Sequence, residues 1–412
     1  MPKYLVKQLK RLWWRVKSIT AIYYYGNPSK HMKVVGVTGT NGKTTTATLL
    51  YKIASGLGYK SGFIGTTGNI IVAEKREATH TTPDSVTLTK LLAEMRSKGC
   101  EYVFMEVSSH ALTQDRVAGI TFAGGIFTNL THDHLDYHKT MENYFRAKKL
   151  FFNMLPEGAF ALANGDDAYG KRMLESIHAK KFLYGFSQRF DFTGELLKLS
   201  FSGIELMAND TRIHTNLLGK FNAYNTLAVW SASELLGFDM AKVHKILEHI
   251  EPPKGRFDHF VSKNGVLAIV DYAHTPDALE KIFMGIKSVK PENGRIISLF
   301  GCGGDRDPLK RPKMGKIGVV FSDIAIFTSD NPRSEDPEKI IDGMTRDLSE
   351  EDKKKVRIIP NRRDAIREAV QIARENDIIL AAGKGHEDYQ EIKGVKHHFD
   401  DMEELKKAFA EL

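Results

Sequence analysis

Cysteine is nearly absent from this chain of 412 residues: Cys100 and Cys302 stand far apart, without metal-ligand spacing. That excludes a disulfide scaffold and a cysteine-ligated zinc site, and it fits a reducing cytoplasm. Long apolar runs are missing too, since no stretch approaches the roughly eighteen residues of a membrane span. The N-terminus is basic but has neither a continuous apolar core nor an obvious small-residue cleavage site, so no secretory signal is read there. Acid is missing from the first 73 residues, which hold eleven Lys or Arg before Glu74. The formal net charge of +8 therefore belongs to that segment, and the rest of the chain is slightly acidic. A chain-wide basic face with interleaved aromatics is not what this describes, which argues against a nucleic-acid partner.

What is there suits a globular protein of two or three domains, with 42% hydrophobic and 27% charged residues. The most informative stretch is Val34 to Thr46, VVGVTGTNGKTTT. A β-branched run breaks at Gly39-Thr40-Asn41-Gly42, and Lys43-Thr44-Thr45-Thr46 opens an amphipathic segment, so the order is strand, glycine turn, helix. That order makes a phosphate cradle: backbone N–H groups close on phosphate oxygens, the helix N-terminus adds its dipole, Lys43 adds a charge and a threonine hydroxyl can ligate Mg²⁺. The general pattern has a glycine where Val37 stands.

Ahead of it, Leu5, Leu9, Leu12, Val16, Ile19 and Tyr23 recur at spacings of four and three, flanked by Lys3, Lys7, Lys10, Arg11, Arg15 and Lys17. Such a stripe predicts a basic amphipathic helix over residues 1–25 that packs on the chain's own body, with peripheral membrane contact or a protein partner as the alternatives. Residues 1–32 form this helix and its linker. From 33 to 253 strand-like and helix-like segments alternate, which predicts an α/β domain with a mainly parallel sheet around the phosphate loop. Glu251-Pro252-Pro253-Lys254-Gly255 reads as a linker, and residues 254–412 repeat the alternation as a Rossmann-like, doubly wound domain.

Ligands in such sheets bind beyond the carboxyl ends of strands, and polar residues collect there. Glu106-Val107-Ser108-Ser109-His110 follows one expected strand; His132, Asp133, His134, Asp136 and His138 crowd into seven residues after another. Without cysteine or the HExxH spacing, and beside a phosphate site, that cluster favours Mg²⁺ over zinc. Lys148, in a helix-like apolar run, reads on composition as a surface lysine. Asn222 and Asn225, three apart, can hydrogen-bond a base, with capping as the default. In the second domain Arg306 and Arg333 suit a carboxylate and Glu387 an ammonium, so a small ligand bearing both charges is expected.

Taken together, TGTNGKTTT, HTTP, MEVSSHAL, TNLTHDHLDYH, AKKLFF, GKFNAYN, GRFD, DYAHTPDALE, GCGGDRD, DNPR and GKGHEDYQ resemble the Mur ligases from about Tyr25 to the C-terminus, in particular the branch that adds diaminopimelate. The resemblance implies a cytoplasmic, ATP-dependent amide ligase of peptidoglycan synthesis. In it a substrate carboxylate takes the γ-phosphoryl group, and the acyl phosphate is attacked by an amine. It implies that Gly39, Thr40, Asn41, Gly42, Lys43, Thr44 and Thr45 hold ATP, with Asn225 at adenine, Arg256 at the phosphates and Asp271 at the ribose. Thr44, Glu106, His134 and a carbamylated Lys148 would bind Mg²⁺, and Lys43, His134 and Lys148 would be the catalytic group. Thr81, Thr82, Ser108, Gln114 and Arg116 would hold the UDP-muramoyl-dipeptide. Arg306, Asp330, Asn331, Pro332, Arg333, Gly383 and Glu387 would hold meso-diaminopimelate.

Two departures accompany the resemblance. Full-length members carry a uridine-binding domain of roughly a hundred residues where some 33 residues precede the first central strand here, so the donor is expected to be gripped mainly by its muramoyl-dipeptide end. His80 also stands where some members have asparagine. The competing reading is a Mur-like ligase joining another amino acid or using another carboxylate donor, as folylpolyglutamate and cyanophycin synthetases do; a nucleotide switch without ligase activity is a third.

Overall fold

The computed structural model describes residues 3–412, with side chains from Arg11 onward. Two compact units emerge. The first holds most of the chain up to Ile250, and the second runs from Glu251 to Leu412 and takes in the short stretches Leu199–Gly203 and Leu218–Lys220. The N-terminal helix α1 (Lys3–Tyr24) belongs to the first unit rather than standing apart. Among the described residues, no helix is long and apolar enough to cross a membrane.

The strands of the first sheet are β1 (Lys33–Thr38), β2 (Ser61–Gly65), β3 (Gly68–Ile71), β4 (Glu74–Arg76), β5 (Tyr102–Glu106), β6 (Gly124–Phe127), β7 (Phe160–Asn164), β8 (Lys180–Gly185), β9 (Phe192–Ser200), β10 (Gly203–Ala208) and β11 (Thr211–Thr215). Their order is β11-β10-β9-β8-β7-β6-β1-β5-β2-β3-β4. From β2 through β5, β1, β6, β7 and β8 to β9 the pairing is parallel, and β3–β4 and β10–β11 close the two edges as antiparallel hairpins. Val34, Val35 and Val37 are wholly buried on both faces of β1, which is why a continuous β-branched run specifies this central strand.

Helix α2 (Lys43–Gly56) starts at the glycine turn, and Asp84 caps α3 (Ser85–Ser97) by accepting from the Val86 amide at 3.1 Å. Next come α4 (Ser109–Thr113), α5 (Leu135–His138) and α6 (Met141–Asn153), the last capped by Thr140. Helix α6 lies close on the sheet because glycines leave room for it. A Cβ on Gly36 would meet Phe151 Cζ at 2.5 Å, and one on Gly125 would meet Phe151 Cε1 and Leu155 Cδ1 at 2.9 Å.

The second unit has the order β12-β13-β17-β14-β15-β16, from β12 (Asp258–Val261), β13 (Leu267–Asp271), β14 (Ile296–Phe300), β15 (Ile324–Phe327), β16 (Val356–Ile358) and β17 (Ile378–Ala382). Five strands run parallel, with β12 antiparallel on the edge, and apolar clusters fill both faces. The helix Pro276–Lys287 begins with proline in its first turn behind a Thr275 cap.

One expectation is overturned by the packing of α1. Leu5, Leu9, Lys3, Lys7 and Lys10 lie outside the residues whose side chains are described, but the rest of the predicted stripe turns away from the body. Leu12 is 59% exposed, Val16 54% and Tyr23 75%, whereas Ser18, Ala21 and Ile22 are buried. The helix sits against α3, and Ser18 Oγ donates to the Asp115 carbonyl at 2.7 Å while Arg11 Nε donates to the Asp115 carboxylate at 3.0 Å. Small Ser18 and Ala21 permit that close approach, and Ile22 joins the apolar core of the first unit.

Gly36→Ala should destabilise the first unit by about 1–3 kcal/mol through overpacking against Phe151. Chemical denaturation of Gly36→Ala, Phe151→Leu and the double variant checks this. The double variant should lose less than the two single losses added, and strict additivity would refute the contact.

Candidate active site

The glycine turn is laced to the segment that follows β6. The Thr40 amide donates to the Asn129 carbonyl at 2.8 Å, the Asn41 amide to Asn129 Oδ1 at 2.9 Å and Thr128 Oγ1 to the Asn41 carbonyl at 2.6 Å. A Cβ on Gly39 would land 1.9 Å from Thr128 Oγ1, so only glycine fits there. Gly42 caps α2 with φ +82°, and a Cβ on it would meet Asn225 Oδ1 at 2.5 Å. Asn225 is therefore held against the turn, its amide donating to Asn222 Oδ1 at 2.9 Å. Thr44 and Thr45 are buried in the first turn of α2.

Two lysines converge on this turn. Lys43 Nζ donates to the carbonyls of Gly39 at 2.9 Å and Thr40 at 2.7 Å, and Lys148 Nζ donates to the same Gly39 carbonyl at 2.7 Å. The surface position that composition suggests for Lys148 is wrong: it is 1% exposed, on the α6 stripe formed by Tyr144 and Phe151, with its Nζ 4.6 Å from the Tyr144 ring centroid. Burial, and after it the repulsion of Lys43, holds the Lys148 ammonium well below its usual pKa. Lys43 at this helix N-terminus offers positive charge to an anion, and the Lys148 amine shares its carbonyl.

Glu106, at the end of β5, is 1% exposed. Its carboxylate accepts from the Thr66 amide at 2.7 Å and Thr66 Oγ1 at 3.3 Å, and among the described residues no cationic side chain pairs with it. Around it the expected donor residues do come together. Thr66 Oγ1 donates to Thr81 Oγ1 at 3.0 Å, Thr82 Oγ1 to the Glu106 carbonyl at 2.8 Å and the Ser108 amide to Thr82 Oγ1 at 3.0 Å. Arg116 reaches the Thr82 carbonyl at 2.7 Å and Gln114 Oε1 at 2.7 and 2.9 Å. Thr66 was not singled out by the sequence; Gly65-Thr66-Thr67 just past a strand was the available signal.

The histidine-rich segment divides by burial. His138 is buried, stacked on Tyr144 at 4.9 Å and within 2.9 Å of Ser109 Oγ, while His132, His134 and Asp136 face outward. His134 has φ +52° at the start of α5, and its ring stands 5.0 Å from that of His110. Partial desolvation lowers the pKa of His110 and also of His134, although one side of the His134 ring is open to solvent, and this favours neutral imidazoles. Among the described residues no group of three His, Cys, Asp or Glu side chains forms a ready metal cage.

In the second unit a distinct constellation lies beyond β14, β15 and β17. Asn331 Nδ2 donates to Glu387 Oε2 at 2.8 Å, its Oδ1 accepts from the Glu391 amide at 2.8 Å, and Gln390 Nε2 donates to the Asp330 carbonyl at 2.7 Å. Arg333, at φ +53° after Pro332, donates to the Gly304 carbonyl at 2.7 Å and pairs with Glu391 at 3.3 Å. Gly383 has φ +112°, and a Cβ there would be 3.2 Å from Asp330 Oδ2. Arg306 is exposed beside Gly303. Burial and the nearby Asp330 raise the Glu387 pKa. Sequence reasoning missed Lys384, which is wholly buried 3.4 Å from both Asn331 Oδ1 and Glu387 Oε2 and also donates to the Tyr389 carbonyl. Asp271 is buried and accepts from the Phe257 and Ala273 amides at 2.7 and 2.9 Å, with its pKa pushed up to about 6 by burial; Arg256 lies over Tyr272.

A phosphate cradle at the end of a parallel strand, a neighbouring buried carboxylate, and a second unit with amino-acid-like polarity are the equipment of an ATP-dependent amide ligase. Residues 37–233 match the Mur ligase middle domain and residues 255–385 the Mur ligase glutamate ligase domain. The chain is 51% identical over 390 residues to a UDP-N-acetylmuramoyl-L-alanyl-D-glutamate–2,6-diaminopimelate ligase of Phocaeicola vulgatus, covering 95% of this chain and 81% of the relative. It is 44% identical over 402 residues to an enzyme of the same name from Clostridium botulinum, covering 96% of this chain and 81% of that one. A solved structure of a ligase with that name superposes with a TM-score of 0.69 at 34% identity, over 92% of this chain and 78% of the other. This chain belongs to the Mur ligase family.

His138 provides a pH test of the site. Burial first, then repulsion from His110 and Lys148, takes its pKa from the ordinary 6.5 down to about 4. Between those values the unfolded chain binds a proton that the folded chain does not, so stability is complete above about 6.5 and declines as pH falls towards 4. His138→Gln should flatten that slope. Melting temperatures of both proteins at about pH 7 and about pH 5 decide it, and equal slopes would refute it.

Proposed function

We propose that this chain is an ATP- and Mg²⁺-dependent ligase that adds meso-diaminopimelate to UDP-N-acetylmuramoyl-L-alanyl-D-glutamate. The observation that carries the reading is the convergence of Lys43 and buried Lys148 on the Gly39 carbonyl, at the head of α2 and within an extended sequence match to diaminopimelate ligases. Gly39 to Thr45 cradle the phosphates, Lys43 stabilises charge on the transferred γ-phosphoryl group, and Asn225 meets the nucleotide base. In the second unit, Arg256 and Asp271 serve as nucleotide contacts. Thr81, Thr82, Ser108, Gln114 and Arg116 hold the muramoyl-dipeptide donor, whose carboxylate takes the phosphoryl group from ATP. The amine of diaminopimelate then attacks the acyl phosphate, forming the amide and releasing phosphate.

Glu106 fits a divalent cation, because a buried carboxylate with no cationic side chain beside it is costly unless a cation is supplied. Thr44 and neutral His134 complete the set of residues that would hold Mg²⁺, which supplies neutralisation of phosphate charge when bound. Lys148 joins them as a carbamate. Its burial favours the neutral amine, which adds to carbon dioxide and loses a proton, turning the amine into an anionic oxygen ligand.

Arg306, Asp330, Asn331, Pro332, Arg333, Gly383 and Glu387 take the incoming amino acid. Arg333 pairs with the distal carboxylate that distinguishes diaminopimelate from lysine, and Glu387 faces an ammonium. Tripeptide formation should favour diaminopimelate over lysine by on the order of a hundredfold or more in kcat/KM. Product assays with ATP, Mg²⁺, the UDP-linked donor and either amino acid test this, with Lys43→Ala as the inactive control. A preference for lysine would overturn the acceptor, and an active Lys43→Ala would overturn the reaction.

Lys148→Ala should lose nearly all activity, and acetate or formate should restore part of it. Carbon-13 NMR of the native protein in labelled bicarbonate should show a carbamate signal that the variant lacks. A fully active alanine variant removes the role.

A further inference from the structure

The outward face of α1 has no place in the ligase reaction. Leu12, Trp13, Val16, Ile19 and Tyr23 form one continuous exposed apolar strip, with Trp13 61% and Tyr23 75% accessible. The same four-and-three spacing continues in the sequence to Leu9 and Leu5. Six Lys or Arg share this 22-residue helix with no acid. Two of the six are committed to the body, Arg11 to Asp115 at 3.0 Å and Lys17 to Asp84 at 3.6 Å, so the helix is pinned by its inner face. Its outer face combines tryptophan, tyrosine and branched aliphatics with an exposed Arg15.

We infer that α1 is a membrane-surface anchor, which lays Leu12, Trp13, Val16, Ile19 and Tyr23 into the interface of an anionic bilayer. The charge pattern selects this occupant. A second copy would bring two acid-free basic helices together, and an isologous contact repeats every like-charge pair. An anionic lipid surface instead attracts the cations, and it accommodates tryptophan and tyrosine at headgroup depth as well as aliphatic side chains just below. The helix lies on the bilayer without crossing it, since cations recur from Lys3 to Lys17 and, beyond them, Ser18, Ala21 and Ile22 on the opposite face are buried against protein.

The test is flotation of the full chain with two kinds of vesicle, phosphatidylcholine alone and an equal mixture of phosphatidylcholine and phosphatidylglycerol. The native chain should float with the anionic vesicles, lose that association as salt rises, and bind phosphatidylcholine weakly. Leu12→Glu with Val16→Glu should lower affinity about tenfold or more, because it removes apolar contact and adds repulsion. Ligation of soluble substrates should be unchanged, which also shows that the variant folds. Tryptophan emission should shift to the blue on anionic vesicles, and Trp13→Phe should reduce that shift, because Trp13 is the exposed tryptophan, Trp14 beside it is half-buried and Trp230 is buried in the body. A native chain that stays unbound overturns the inference, as does a double-Glu variant that floats equally well. A lipid-indifferent dimer split by the double-Glu substitution also overturns it, and assigns the strip to a second copy.

Discussion

Phe151 occupies a seat that exists because Gly36 and Gly125 have no side chains, and the approach of helix α6 to the glycine turn depends on that fit. With the ring pressed on the backbone of β1 and β6, helix α6 comes close enough for Lys148, one turn earlier, to reach the Gly39 carbonyl. Lengthening the separation by a methyl group would move the lysine as well as the ring, because both project from one rigid helix. The turn itself has no slack, as Thr128 fills the space a Cβ on Gly39 would need.

Buried charge is distributed differently at the sites and in the scaffold. Arg362 and Asp401 are both fully buried, but they are joined by two hydrogen bonds of 2.7 Å, and the guanidinium also holds the Ala382 carbonyl at 3.0 Å. That pair satisfies itself and stabilises the strand ends above it. Glu106 and Lys148 are equally buried, yet among the described residues the carboxylate has no cationic partner, and the amine rests on a carbonyl and a ring. The cost of burying Glu106 is offset when a cation arrives, and that of Lys148 is lowered by holding a neutral amine, so the same physics that makes Arg362 structural makes the other two receptive.

Much of this was legible in the sequence, and the residues explain why the rest was not. The strands Tyr102–Glu106 and Ile378–Ala382 are visible as apolar runs, and the polar groups beyond them follow from parallel-sheet topology. Lys148 hid because a lysine within an apolar stripe looks, on composition, like one that reaches solvent. Thr66 hid because its work is to hold Glu106 through an amide and a hydroxyl, a contact across 40 residues of chain. Lys384 hid between two glycines, where its burial depends on Asn331 and Tyr389 folding over it. For α1, periodicity established which residues share a face, but the direction of that face was set by Ser18 and Ala21 fitting against neighbours the periodicity cannot see.

Asp115 receives both Ser18 and Arg11 from α1, and its two neighbours in the chain are Gln114 and Arg116. Its backbone sits at φ +48° just past the end of α4, where the Asp115 and Arg116 amides donate to the Leu112 and Ala111 carbonyls at 3.2 and 2.9 Å. The N-terminal helix thus braces, through Ser18 and Arg11, the turn that carries Arg116.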